Sequence, residues 1–208
     1  MENVLDIYHQ HYDSKSPVFC MDEKQIQLIK ETRIPIPAKP GRPKSYDYEY
    51  ERNGTANIFL KTEPLTGWRK VIVTEHRTAR DWAEEIKNLL LQDLTEFEKI
   101  KLICDQLNTQ KISSLYQAFE PATARYLANK LEINHTPKHG SWLNIAENEL
   151  SVLTRQCLNT RIPDIETLKK ETTAWYVERN QLQKSVDWQF TTDDARIRLK
   201  RLYPQIQT

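Results

Sequence analysis

Three acidic residues stand where a carboxylate can reach a reacting phosphate. Asp22 follows the apolar run Val18-Phe19-Cys20-Met21, and Asp105 follows Ile100-Lys101-Leu102-Ile103-Cys104. Glu147 opens a helix after the loop Thr136-Pro137-Lys138-His139-Gly140-Ser141-Trp142. Carboxylates on separate elements can hold a pair of Mg²⁺ or Mn²⁺ ions, which take oxygen ligands and keep waters or phosphate oxygens. That is the chemistry of phosphodiester cutting and rejoining. Each acid also has an ordinary alternative. Asp22 and Asp105 could cap strand ends, and Glu23 could serve in place of Asp22. Glu147 lies three residues past Asn144, where a glutamate closes a capping box. Glu149 flanks the same helix's apolar stripe on its other side, so periodicity does not choose between the two glutamates.

The neighbouring residues suit phosphate better than zinc. His135 and His139 lie four apart across a Pro-containing loop, with neither helical geometry nor a cysteine partner. Lys138 and His139 are better read as donors to phosphate or carboxylate. Trp142 reads as a packing aromatic, with base stacking as the lesser option. Two basic segments stand out: Arg33, Lys39, Arg42 and Lys44 with no acid among them, and Arg196, Arg198, Lys200 and Arg201. Either could supply phosphate contacts or be an ordinary solvated surface.

Positioning these residues requires an alternation of strands and helices. Val18 to Leu28 reads as a strand continuing past Asp22. Pro35, Pro37, Pro40 and Pro43 exclude regular structure and mark an extended basic loop. Tyr46 to Tyr50 alternates at period two, Asn53-Gly54 is a hairpin signal, and Ala56 to Leu60 and Arg69 to Thr74 complete a meander. Thr78 and Asp81 form a capping box for a helix with Trp82, Ala83, Ile86 and Leu90 on its stripe. Ile100 to Cys104 reads as a buried strand, Ser113 to Phe119 and Pro121 to Leu131 as helices, and Ile133 to Thr136 as a further strand. Helices follow from Asn144 to about Leu158 and from Pro163-Asp164 to about Arg179, and a basic one spans Thr192 to Leu202. This is an α/β order with a mixed sheet, whose ligands gather beyond strand ends.

Composition narrows the class. The chain has 208 residues, 28% of them charged and 38% hydrophobic, with a formal net charge of +1. It can bury a sizeable core but is no globally basic nucleic-acid coat. No apolar run reaches membrane-spanning length. Cys20, Cys104 and Cys157 are odd in number and lack C-x-x-C spacing, which points to free thiols in a reducing cytoplasm.

Two long strings carry a family resemblance. Cys104-Asp105-Gln106-Leu107-Asn108-Thr109 and Thr136-Pro137-Lys138-His139-Gly140-Ser141-Trp142-Leu143-Asn144-Ile145-Ala146-Glu147 resemble the second and third acidic motifs of bacterial insertion-sequence transposases. The family is that of insertion sequence six-thirty, allied to the mariner-like DDE superfamily. The likeness extends over nearly the whole chain, including Asn53 to Asn57 and Trp188 to Arg196. It implies a ribonuclease-H-like α/β fold, a mixed five-stranded sheet flanked by helices, over residues 16–183. Residues 1–15 would form an arm or linker and 184–208 a basic tail. It implies Asp22, Asp105 and Glu147 as catalytic and metal-binding residues for two Mg²⁺ or Mn²⁺ ions, and it selects Glu147 over Glu149.

The implied activity is cleavage at transposon ends and strand transfer into target DNA. The implied partner is double-stranded DNA, held by a homodimer or higher oligomer in the bacterial cytoplasm, associated with the nucleoid. The Pro-rich loop would reach toward DNA or a partner subunit, as clamp loops do in mariner-like relatives. Lys39, Arg42, Lys44, Lys138 and His139 then become DNA-binding residues. Gln106 and Gln110 depart from the asparagine and histidine common at those places, which implies impaired rather than abolished activity. Full-length relatives carry N-terminal helix-turn-helix domains, whereas the first expected strand here begins at Val18. The chain thus resembles the catalytic half, implying an upstream helix-turn-helix partner frame. The alternative is a catalytically impaired DNA-binding or regulatory remnant.

Overall fold

A computed structural model describes residues 1–94, 97–138 and 140–203. The elements are α1 (Glu2–Tyr8), β1 (Val18–Glu31), β2 (Tyr50–Glu63), β3 (Trp68–Thr74), α2 (Ala79–Asn88), β4 (Ile100–Cys104), α3 (Ile112–Ala118), α4 (Pro121–Asn129), β5 (Leu131–His135), α5 (Ile145–Gln156), α6 (Ile165–Gln181) and α7 (Thr192–Arg198). Five strands form one sheet in the order β3-β2-β1-β4-β5. The first three pair antiparallel, while β1/β4 and β4/β5 are parallel. This is the mixed five-stranded α/β sheet the sequence leads one to expect.

Side-chain alternation along β1 divides the core in two. Phe19 and Met21 pack with Trp82, Ile86, Leu115 and Leu127 from α2, α3 and α4. Cys20 and Leu28 face the opposite layer, where Leu5, Ile145, Leu153, Leu168 and Ala195 come from α1, α5, α6 and α7. Asp22 shares its face with Cys20 and therefore looks toward α5. Beneath the α2 layer the fully buried Lys61 is held by Glu85 at 2.9 Å and Asp93 at 3.5 Å.

Two local expectations are corrected. Asn53-Gly54 is no hairpin turn: β2 runs through it, and the pairing slips from Gln27↔Thr55 to Ile29↔Arg52. One residue of β1 opposes two of β2 there, a bulge whose left-handed position Gly54 occupies at φ +82°. Asn-Gly supplies positive φ to turns and bulges alike, so the dipeptide does not tell them apart. The turn lies instead in the Pro-rich segment, which is more regular than its prolines suggest. Ile36 bridges Ser45 and Lys39 bridges Arg42, so residues 33–45 extend the β1–β2 hairpin outward. Arg161 clamps its base, with Nη1 donating to Glu31 at 2.7 Å and Nη2 to the Asp47 carbonyl at 2.8 Å.

Candidate active site

The parallel register of β1 and β4 sets the site. Cys20 pairs with Ile103 and β4 ends at Cys104. Continued two residues, that register brings Asp22 beside Asp105. Asp22 is thus inside its strand rather than at the strand's end, at the point where β1 runs on past its shorter neighbour. Asp105 is fixed from β5: the Thr136 amide donates to the Cys104 carbonyl at 3.0 Å and the Thr136 hydroxyl to Asp105 Oδ1 at 2.9 Å.

The third acid arrives on α5, which Asn144 ties to β1. Its side-chain oxygen accepts from the Ala146 amide at 3.2 Å, and its amide donates to the Met21 carbonyl at 3.0 Å. One residue thus caps the helix and holds its first turn against the strand that carries Asp22. Tyr8 braces the same turn by donating its hydroxyl to the Leu143 carbonyl at 2.7 Å. Gly140 makes the approach possible, since a β-carbon there would lie 2.5 Å from Pro137 Cγ. Glu147 does not close a capping box. Its Oε2 is buried without a hydrogen-bond partner, and its side chain lines the same cleft as Asp22.

The electrostatics match this convergence. Burial pushes the Asp22 carboxyl up to about 7, and the charges of Asp105, Glu147 and Glu23 add to the rise. Glu23 turns to the other face of β1, 3.8 Å from Arg77. Glu149 is committed elsewhere, accepting from Arg179 at 3.0 Å and pairing with the buried Arg69 at 3.1 Å. Such a carboxylate cluster suits hard cations. Among the described residues, no three acidic, histidine or cysteine side chains converge tightly enough to enclose an ion by themselves. That is compatible with Mg²⁺, which draws much of its octahedron from water and substrate phosphate.

Other expected residues are more dispersed. Lys138 is exposed two residues beyond Thr136, on the Asp105 side of the site. Lys39, Arg42 and Lys44 sit on the hairpin extension, separated from Asp22 by about 30 Å of strand at ~3.3 Å per residue. His139 lies outside the described residues. His135 Nδ1 lies 3.2 Å from the Asp105 carbonyl and 3.7 Å from Cys104 Sγ. Gln106 is exposed, whereas Gln110 is fully buried with both amide atoms unpaired. Trp142 is partly exposed and stacks on Trp188 at 6.2 Å. Arg196 is drawn into a bidentate pair with Glu2, at 2.8 and 3.0 Å. The sequence gives no direct sign of Asn144 as a cross-tie, of Tyr8, or of Thr136 as an Asp105 partner. Only Asn144 carried a local signal, as a helix cap.

Comparison with known proteins bears on the fold and the family. Among solved structures the chain is similar to the Mos1 strand transfer complex, with a TM-score of 0.59, 13% identity, and coverage of 88% of this chain and 55% of that one. It is also similar to the Mos1 transposase paired-end complex with left transposon end, at a TM-score of 0.57 and 15% identity, covering 88% and 56%. The chain spans about half the length of these solved chains. At such identities the likeness is one of fold, and the fold is ribonuclease-H-like. No curated protein matches the chain. The family profile described as DDE superfamily endonuclease matches residues 17–169, a span containing Asp22, Asp105 and Glu147 and most of the sequence, and the protein belongs to that family.

Proposed function

We propose that this chain is the catalytic domain of a DNA transposase, cutting phosphodiesters at element ends and transferring the strand into target DNA. The observation that carries the reading is the cleft shared by Asp22 and Glu147, with Asp105 beside Asp22 by the β1/β4 register and the charges of both acids adding to the burial that raises the Asp22 carboxyl to about 7. Asp22 and Asp105 would hold divalent ions jointly, and Glu147 would complete the second position. When bound, Mg²⁺ or Mn²⁺ would activate water or a 3′-hydroxyl for in-line attack and stabilise the leaving oxygen. The protein's own part is orientation: Thr136 fixes Asp105, Asn144 fixes the helix carrying Glu147, and Gly140 lets the intervening loop close.

Residues 16–183 would make up the catalytic domain, flanked by the arm and tail. Lys39, Arg42 and Lys44 on the projecting hairpin, with Lys138 beside the site, would contact DNA or a second subunit. A homodimer or larger assembly on DNA, and a helix-turn-helix partner, complete the reading. A DNA substrate implies an intracellular, nucleoid-associated protein.

Supercoiled-plasmid nicking with Mn²⁺ tests this. Wild type should nick, and Glu147→Gln should lose nicking by orders of magnitude while melting at or above the wild-type temperature. Glu149→Gln should keep most of its nicking at permissive temperature but melt lower. Weakening a buried Arg–carboxylate pair costs up to roughly 3–5 kcal/mol, less here because the amide oxygen still accepts. The reverse pattern, or no nicking by wild type, contradicts the reading.

A further inference from the structure

The cleft beside the acids has a second, differently charged end. Asp22 and Lys24 project from the same face of β1. On α5, Glu147, Ser151, Thr154 and Arg155 follow at helical spacing and share the facing side. Together these rows line one open groove of about 370 Å³. The carboxylates stand at one end and the two cations at the other. From Glu147 to Arg155 the helix rises about 12 Å at ~1.5 Å per residue. That matches the axial rise of three to four nucleotides, at ~3.4 Å per nucleotide of one strand.

The cations are held but not neutralised. Lys24 Nζ donates to the Thr154 hydroxyl at 2.7 Å, and that hydroxyl donates in turn to the Leu150 carbonyl at 2.7 Å. The threonine proton is thereby fixed on backbone, so its lone pair orients the ammonium. The two other Lys24 protons meet no protein acceptor among the described residues. Neither Lys24 nor Arg155 has a carboxylate within ion-pair distance among the described residues, whereas Arg69, Arg77, Arg161 and Arg179 each have one. Two cations and two hydroxyls, with Leu150 as the apolar member and no aromatic lining the groove, suit a sugar–phosphate backbone rather than a base.

We propose that Lys24 and Arg155, with Ser151 and Thr154, form a phosphate track that seats the DNA strand next to the bond held at the acids. The track rests on the DNA-cleaving reading and adds to it a sequence-independent substrate contact on the α5 side. Lys24 contacts the phosphate nearer the scissile bond, and Arg155 one farther along.

Fluorescence anisotropy with a short DNA duplex, without divalent metal and across a salt series, tests the track on the full chain. The variants are Lys24→Gln, Arg155→Gln and the double variant. Lys169→Gln is the control, removing one charge from an exposed α6 side chain paired with Glu166. The slope of log affinity against log salt should fall by about 0.9 for each track residue removed and about twice that in the double variant. The control should leave it unchanged. Unchanged slope in the double variant, or an equal drop in the control, overturns the track while leaving the cleavage reading intact. A wild-type chain that binds no duplex overturns both.

Discussion

At the scale of single residues, one carboxyl concentrates the electrostatic cost of the site. Asp22 is 8% exposed, and its carboxyl rises from 3.8 to about 7. The folded protein therefore binds more protons here than the unfolded chain between those two values. Stability from this group is fully present below about pH 4, falls as pH rises through about 7, and is then level. The gap of about three pH units, at about 1.4 kcal/mol each, caps the penalty at about 4 kcal/mol. Asp22→Asn removes the charge and retains an oxygen that can accept from the Glu23 amide, as Asp22 does at 2.7 Å. In metal-free buffer it should match wild type near pH 4 and exceed it by up to a few kcal/mol at pH 8. Urea titrations at both pH values check this, and equal stability at pH 8 would show that the acid carries no such strain. Glu149 makes the complementary point. Its partners Arg69 and Arg179 lie far away in sequence, so nothing local to the helix announces that it is spoken for.

At the scale of elements, the site depends on how α5 is pinned. Asn144 supplies both the helix cap and the donor to the Met21 carbonyl. Asn144→Ala loses about 1 kcal/mol of capping and leaves a buried carbonyl unpaired at about 1–3 kcal/mol, so a fall of about 2–4 kcal/mol is expected. Asn144→Asp keeps the cap but not the donor and should recover only the capping share. Chemical denaturation separates the two, and equal stability of Asp and wild type would deny the tie to β1. Periodic elements were legible from sequence. The Thr78–Asp81 capping box is present, and α5 and α6 lie where Asn144 and Asp164 cap them. Elements that depend on pairing were less so. Gly54 has the φ of a turn but serves a bulge, and the regularity of the Pro-rich segment lies in bridges between residues several positions apart. That Asp22 passes β4 near its end follows from strand order, which no local pattern carries.

At the scale of the molecule, the charge is arranged rather than excessive. The net is +1, yet Lys39, Arg42 and Lys44 are carried outward on the hairpin, while Lys24 and Arg155 line the groove that also holds Asp22 and Glu147. The first and last helices close on each other through Glu2–Arg196 and through the Thr192 hydroxyl, which donates to Asp6 at 2.6 Å. They join the core layer behind α5, with Val4, Leu5 and Ala195 buried. Tyr8, which braces the turn before Glu147, belongs to α1, so the first helix helps shape the cleft lined by Asp22 and Glu147. The central claim is that this architecture gathers three carboxylates to receive divalent cations. Calorimetric titration with Mn²⁺ at pH 8, where Asp22 is ionised, tests it most directly. Wild type should bind, and Asp105→Asn, which preserves an acceptor for Thr136 and relieves repulsion, should bind at least about tenfold more weakly, a loss of about 1.4 kcal/mol, while remaining as stable as wild type. Unchanged Mn²⁺ affinity in that variant would contradict the account.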